Sequence, residues 1–362
     1  MDTSDPMITF DHNGCCNHCN RVVNEISSQW LPNSEGEARL AALVQTIKAN
    51  KNGDYDCIIG LSGGVDSSYL AYVIKTRLGL NPLAVHVDGG WNSEEAVSNI
   101  EKITTKLNID LYSIVVDWEE MRDLQLAFLK ASVPNQDIPQ DHAFFAGLYA
   151  YAVQYNIKYV LSGSNFATES ILPSAWGYDA MDSIHLKAIY KQFGQGKLSS
   201  FPILTLFKQH IYHPHIKGMS VVKPLNYMRY SKSIAMDVLE NELEWRYYGG
   251  KHCESRFTKF FQSYYLPVKF GYDKRRAHLS SMIMNNEVTR EQALRQMEES
   301  PYDEKTIDLD LEFVAKKLGI SPEEMKSLIQ RENKAHLDYK TNRPLVNKLK
   351  HFKSIFERLT GK

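Results

Sequence analysis

The chain has no long apolar run, no excess of charge of one sign and few cysteines, and each shortage removes a class of protein. The longest apolar stretches, such as Cys57-Ile58-Ile59-Gly60-Leu61, fall far short of the roughly 20 residues that span a bilayer. The opening Met1-Asp2-Thr3-Ser4-Asp5 is acidic and polar, unlike a secretory signal, so a soluble cytoplasmic protein without a membrane partner is expected. Lys and Arg number 42 against 43 Asp and Glu, a formal net charge of -1, which gives no broad field to gather nucleic acid. Five cysteines in 362 residues, three of them at 15, 16 and 19, make no disulfide framework. In a reducing compartment such a cluster more often binds metal or is simply present. No cysteine sits in a glycine-flanked nucleophile turn, and the N-terminus offers none, so no glutaminase machinery is visible.

What is there is the balance of an ordinary folded protein, 43% hydrophobic and 23% charged. Residues 1–52 read as an accessory segment with the cysteines, ending in a helix from Glu35 to Ala49 and the breaker Lys51-Asn52-Gly53-Asp54. Residues 53–230 then alternate strands and helices. Strands are predicted at Tyr55–Leu61, Pro82–Val87, Leu111–Val116 and Tyr159–Ser162, with a fifth at Val221-Val222. Helices are predicted at Ser67–Leu78, Ser93–Leu107, 119–131 and 141–155. That alternation predicts an α/β fold, a doubly wound parallel five-stranded sheet whose strand C-termini share one edge. From 231 to 362 the strand signal disappears and a helical C-terminal region follows, with Ser321-Pro322 and Glu324 as a well-formed helix start.

The run Ser62-Gly63-Gly64-Val65-Asp66-Ser67-Ser68 lies between the first strand and its helix. Glycines let the main chain approach an anion closely, and the helix start aims N–H groups and the positive end of its dipole at the same spot. Ser62, Ser67 and Ser68 add hydroxyl donors. Asp66 would repel a bare phosphate, so it is either a helix cap or a ligand of the Mg2+ that accompanies ATP. No Gly-Lys-Ser/Thr ending follows, which excludes the kinase-type nucleotide loop.

This run resembles the pyrophosphate-loop (PP-loop) motif of the adenine nucleotide alpha hydrolase-like enzymes, among them NAD, GMP and asparagine synthetases and tRNA-thiolating enzymes. The resemblance implies that ATP is split between its alpha and beta phosphates and that AMP passes to an acceptor oxygen. It also implies that Val87 and Asp88 contact the adenosine, although Asp88 reads equally as a turn residue. Gly163, Asn165 and Glu169 match the relatives' glycine-polar turn near the nucleotide, with Glu169 a second candidate for Mg2+.

A narrower resemblance lies outside the loop. Asp2-Thr3-Ser4-Asp5-Pro6, Asn13-Gly14 and Cys16-Asn17-His18-Cys19 are similar to the opening of the N-acetyl sugar amidotransferases. So is the block from Tyr248-Gly249-Gly250-Lys251-His252 through Arg256 to Lys269-Phe270-Gly271-Tyr272-Asp273-Lys274-Arg275. Members of that family serve bacterial surface-glycan pathways such as lipopolysaccharide and O-antigen, converting an N-acetyl group to an acetamidino group with ATP and ammonia. The implied partners are an N-acetylated sugar and a separate glutaminase subunit that supplies ammonia. Asp66, Lys251, His252 and Arg256 are the candidate catalytic residues. Lys251, Arg256, Lys269, Lys274 and Arg275, with Trp176 counted beside them, are the candidate sugar-binding set, since Arg grips a carboxylate or phosphate bidentately and Lys offers a point charge. The family pattern places another Cys-x-x-Cys upstream of the Asp-Thr-Ser-Asp-Pro stretch. Without that pair, Cys16 and Cys19 are half of a Zn2+ site, which Cys15, His18 or another residue would have to complete. A tRNA-modifying enzyme and a non-catalytic ATP sensor are the rival readings.

Overall fold

The computed structural model describes residues 1–250 and 253–348. Five strands form one parallel sheet: β1 Cys57–Gly60, β2 Pro82–Asp88, β3 Asp110–Val115, β4 Tyr159–Leu161 and β5 Ser220–Val222, in the order β3-β2-β1-β4-β5. β1 pairs on one side with β2, Cys57 opposite Pro82, and on the other with β4, Ile58 opposite Val160. The chain therefore winds outward through β2 and β3, then crosses back to the far side of β1. Between the carboxyl ends of β1 and β4 the connections diverge, and an open α/β sheet binds its ligands in such a crevice.

β1 is central, so both its faces are buried and its sequence is continuously apolar. Cys57 and Ile59 point into a core with the helices Ser34–Ala49, Val65–Tyr72 and Glu94–Leu107. Ile58 points the other way, against Leu148 and Ala152 of the helix Ile138–Gln154. The predicted strands are all present. The helix Ser183–Phe193 was not anticipated, although Leu186 and Ile189 are fully buried on one side of it.

The first core also takes in Leu239 and Leu243 of the helix Lys232–Leu243, and Trp245 beyond it. The sequence divisions at 52 and 230 thus both fall within one packed core. A separate core begins with the helix Arg256–Phe260, where Phe257, Phe260 and Phe261 pack on Leu311, Val314, Leu318 and Leu328 of the helices Ile307–Leu318 and Pro322–Gln330. The chain runs on from Phe261 to Tyr265 as a wider, π-type turn before Pro267, whose missing N–H would interrupt a regular helix there.

Lys269 belongs to this core and not to a ligand site. It is 9% exposed, and its Nζ donates to the carbonyls of Leu328 at 3.3 Å, Ile329 at 2.9 Å and Arg331 at 2.5 Å. It thereby closes the C-terminal end of the helix Pro322–Gln330, where carbonyls lack partners and positive charge is favoured. Burial, then Arg331, lowers its pKa to about 8. Lys269→Met is expected to cost about 1–3 kcal/mol by orphaning these carbonyls, read as a lower denaturant midpoint, with ATP affinity unchanged.

Candidate functional site

The loop after β1 turns on Gly63. Its φ is +79°, and a Cβ at that position would stand 2.5 Å from the Ala96 carbonyl oxygen. The Gly63 carbonyl accepts a hydrogen bond from Trp245 Nε1 at 2.9 Å. Ser62 and Ser67 bind the loop to itself: their hydroxyls lie 3.1 Å apart, and the Gly64 N–H donates to Ser62 Oγ at 3.3 Å. Gly64 then caps the helix Val65–Tyr72, and the Val65 N–H donates to Tyr248 Oη at 3.2 Å. A main-chain amide at a helix start therefore faces an oxygen, the arrangement that receives phosphate oxygens elsewhere.

Asp66 is not the cap of its helix. Its Oδ1 accepts from the Tyr230 hydroxyl and from Asn165 Nδ2, the latter at 3.2 Å. Asn165 also caps the short turn Phe166–Glu169 by accepting from Thr168 N–H at 3.0 Å, so one side chain joins the turn after β4 to the loop after β1. Gly163 allows the two to meet: a Cβ on it would lie 3.0 Å from the Asp66 carbonyl. Burial, and next the negative charge of Asp66, raise the pKa of Tyr230, which remains a donor.

A cleft of about 1510 Å3 opens at this edge. It exceeds the roughly 300–1,000 Å3 typical of a single small-ligand pocket, so it has room for two. Ser62, Gly64, Asp66 and Ser67 form part of its wall, together with Val87, Gly163 and Glu169. Gly63, Ser68 and Asn165 support that wall from behind. Asp88 is turned to the Gly90 N–H, which it accepts at 2.7 Å, as a turn residue would. His86, not singled out from the sequence, lines the cleft with both ring nitrogens engaged, Nδ1 on the Leu61 carbonyl and Nε2 on Asn92 Nδ2.

The substrate candidates divide. Lys274 lines the cleft. Arg256 does not: its guanidinium lies 3.5 Å over the Phe313 ring and 3.6 Å from Asp310, where it ties two helices together. Arg275 pairs with Asp273 at 2.7 Å and donates to the Glu299 carbonyl at 3.0 Å, closing a loop. Trp176 is fully buried and stacks on Tyr272, whose other contacts reach the cleft wall. Arg256, Arg275, Lys269 and Trp176 are therefore structural supports here. Lys251 and His252 lie outside the described residues.

Sequence reading missed the far end of the cleft. Asp137 and Asp141, at the start of the helix Ile138–Gln154, both line it. Asp137 Oδ1 accepts from Thr258 Oγ1 at 2.9 Å and from Gln140 Nε2 at 3.2 Å. Asp141 is open to the cleft but walled by protein elsewhere. That low-dielectric setting and the charge of Asp137 push its pKa up to about 7, against the pull of Lys274. An Asp on a helix start is an ordinary feature, so nothing in the local sequence marked this pair.

Cys16 and Cys19 face each other with Sγ atoms 3.5 Å apart, and burial with the neighbouring thiol raises the Cys19 pKa to about 11. His18, a candidate to complete the site, is held by Asp5 at 2.7 Å. Among the described residues no group of three or more His, Cys, Asp or Glu side chains is arranged to hold a metal, so the expected zinc finds no support. No helix among them is long and apolar enough to cross a membrane.

The sheet order, the switch-point cleft and the glycine loop belong to a parallel α/β domain built to bind a ligand at its strand ends, and residues 38–203 match the NAD synthase family. Residues 254–354 match the family described as LPS biosynthesis protein WbpG-like, C-terminal domain. The chain thus joins an NAD synthase-like segment to a WbpG-like C-terminal segment. It is 34% identical over 32% of its length to an uncharacterised protein of Methanocaldococcus jannaschii, covering 40% of that protein. It is 26% identical over 46% of its length to a glutamine-hydrolysing GMP synthase of Pyrobaculum aerophilum, covering 31% of it. It is 28% identical over 29% of its length to a tRNA-specific 2-thiouridylase of Pediococcus pentosaceus, covering 31% of it. The chain spans less than half the length of these relatives.

The bend at Gly63 permits a direct check. Gly63→Ala meets a left-handed backbone costing about 1–2 kcal/mol and a clash with a carbonyl. Calorimetric titration with ATP should show affinity lowered by tenfold or more in a protein that keeps its helical circular dichroism.

Proposed function

We propose that the protein is an ATP-dependent amidotransferase that adenylates the N-acetyl oxygen of a sugar and replaces it with ammonia, giving an acetamidino group in lipopolysaccharide or related surface-glycan synthesis. The observation that carries the reading is that one cleft is walled by the phosphate loop of the sheet domain and by Glu254, Ser255, Thr258 and Lys274 of the WbpG-like region. An acceptor held by the second set lies against ATP held by the first.

An amide carbonyl is a poor electrophile and its oxygen a poor leaving group. Attack of that oxygen on the alpha phosphorus expels pyrophosphate and gives an O-adenylyl imidate. Ammonia adds at the imidate carbon and AMP departs, leaving the amidine. Little of this needs covalent help from the protein, which supplies alignment and charge neutralisation. The amides of Gly64 and Val65 and the hydroxyls of Ser62 and Ser67 suit the pyrophosphate oxygens. The glycine cradle fits such a group, since a side chain at Gly63 or Gly163 would collapse it. Asp66 and Glu169 are the carboxylates of this wall that would hold Mg2+, which neutralises phosphate charge when bound. With no glutaminase motif in the sequence, ammonia comes from solution or from a partner subunit.

The 2-thiouridylase relatives and the adjacent Cys16 and Cys19 favour a second reading, sulfur transfer to tRNA. The net charge of -1 counts against it. Retention of tRNA by the purified protein at moderate salt, with no conversion of any acetamido sugar, would establish that reading instead.

The test is mass spectrometry of nucleotide-linked acetamido sugars incubated with ATP, Mg2+ and ammonium. The product should be lighter by about one mass unit, with AMP formed in equal amount, and Asp66→Ala should reduce conversion by about 100-fold or more.

A further inference from the structure

We propose that Asp141 is the general base of the amidation step, taking the proton that ammonia sheds as its nitrogen bonds to the adenylated carbon, with Asp137 as its positioning residue. This inference rests on the amidotransferase reading above and names a group that the reading lacks. Nothing in the phosphate loop is suited to accept that proton: its groups are main-chain amides, hydroxyls that bind one another, and a carboxylate, Asp66, already bonded to Tyr230 and Asn165.

Geometry carries the assignment. The segment from Glu254 to Thr258 bridges the two ends of the cleft. At one end, a Cβ on Gly64 would lie 2.8 Å from Glu254 Oε1. One residue on, Ser255 Oγ donates to Gln140 Oε1 at 3.3 Å; at the other end, Thr258 Oγ1 donates to Asp137. Ser255 and Glu254 lie before the helix and rise about 3.3 Å each, while the helical residues rise about 1.5 Å, so the segment spans about 10 Å. The carboxylate pair therefore faces the same space as the loop, about 10 Å along this segment.

The two carboxylates have different surroundings. Asp137 is 7% exposed and accepts hydrogen bonds from Thr258 Oγ1 and Gln140 Nε2. Asp141 is one helical turn further on, open to the cleft, and disfavoured as an anion by its walls and by Asp137. Among the described residues, the charged groups facing it are Asp137 on its own helix and Lys274 from the helix Lys274–Met284. A carboxylate set beside a second one in a cleft and titrating near neutrality is the efficient kind of general base.

The step balances without any further reagent. The ammonia lone pair forms the C–N bond, and one N–H proton passes to the Asp141 carboxylate. The C–O bond to the adenylyl group breaks, and AMP leaves with that electron pair. Solvent then takes the proton from the Asp141 carboxylic acid.

The experiment separates the two half-reactions in the full-length protein. The acceptors are UDP-N-acetylglucosamine, UDP-N-acetylgalactosamine and CMP-N-acetylneuraminate, assayed for sugar-dependent exchange of pyrophosphate into ATP and for ammonia-dependent amidine formation at fixed free ammonia. Wild-type amidation should rise with pH to a plateau above about 7. Asp141→Asn should keep pyrophosphate exchange within about twofold, lose about 100-fold or more in amidation and lose the acidic limb of the pH profile. Hydroxylamine becomes a far stronger acid as it attacks and needs less help, so it should recover much of the lost rate. Asp137→Asn should keep the base and move the acidic limb to lower pH, because one neighbouring negative charge has gone. Equal loss of both half-reactions in Asp141→Asn, or an unmoved acidic limb in either variant, would overturn the assignment. Absence of exchange in the wild-type protein with all three sugars would instead overturn the amidotransferase reading, before any variant is made.

Discussion

The site depends on one backbone bend. Gly63 adopts a left-handed conformation with its Cα pressed toward the Ala96 carbonyl, and only a residue without a Cβ fits there. The bend sets the following amides at the start of the helix Val65–Tyr72, whose loop borders the cleft. It does not stand alone, because Trp245 holds the Gly63 carbonyl and Tyr248 the Val65 amide, and both lie beyond the last strand. The chain that follows the sheet therefore completes the loop. The Tyr248 hydroxyl, on the segment that leads into the WbpG-like region, accepts the Val65 amide at the start of that helix.

The charge of the cleft imposes a second constraint. Among the described residues its wall carries the carboxylates Asp66, Asp137, Asp141, Glu169, Asp179 and Glu254, against the cations Lys232, Lys274, Lys334 and Arg343. A polyphosphate entering so many carboxylates is repelled unless its charge is neutralised. Main-chain amides supply only fixed partial charges. A divalent cation carried in with the nucleotide converts the nearest carboxylates from a cost into ligands, and this is the physical case for Mg2+ at Asp66 and Glu169.

Much of the fold was legible because the signals were local. The apolar run at β1, the glycine loop and the helix after it form a strand-loop-helix unit that few sequences satisfy by chance, and the periodicities located most of the long helices between 34 and 155. The loop residues were legible for the same reason. The far end of the cleft was not. Asp137 and Asp141 sit one turn apart on a single helix, but they border the cleft with the WbpG-like region only because the helix Arg256–Phe260 folds back to set Thr258 against Asp137, a contact across 121 residues that leaves no local trace. A shift in composition near 230 marks the end of the strands, whereas the packed core continues to Trp245.

The basic block shows where reading by residue type reaches its limit. Arg and Lys serve ligand anions and the protein's own oxygens by the same hydrogen bonds. A small helical region with several chain ends and loops has many carbonyls to satisfy. Lys269 is taken by three of them, Arg275 by a loop and Arg256 by an aromatic face. Each is a use that stabilises the region as effectively as it would hold a sugar acid. Lys274 differs in its place on the helix Lys274–Met284, one residue after the capping Asp273, where the side chain is directed into the cleft instead of over the loop that Arg275 closes. Position on the folded chain, and not the identity of the cation, decides which member of such a block can meet a substrate.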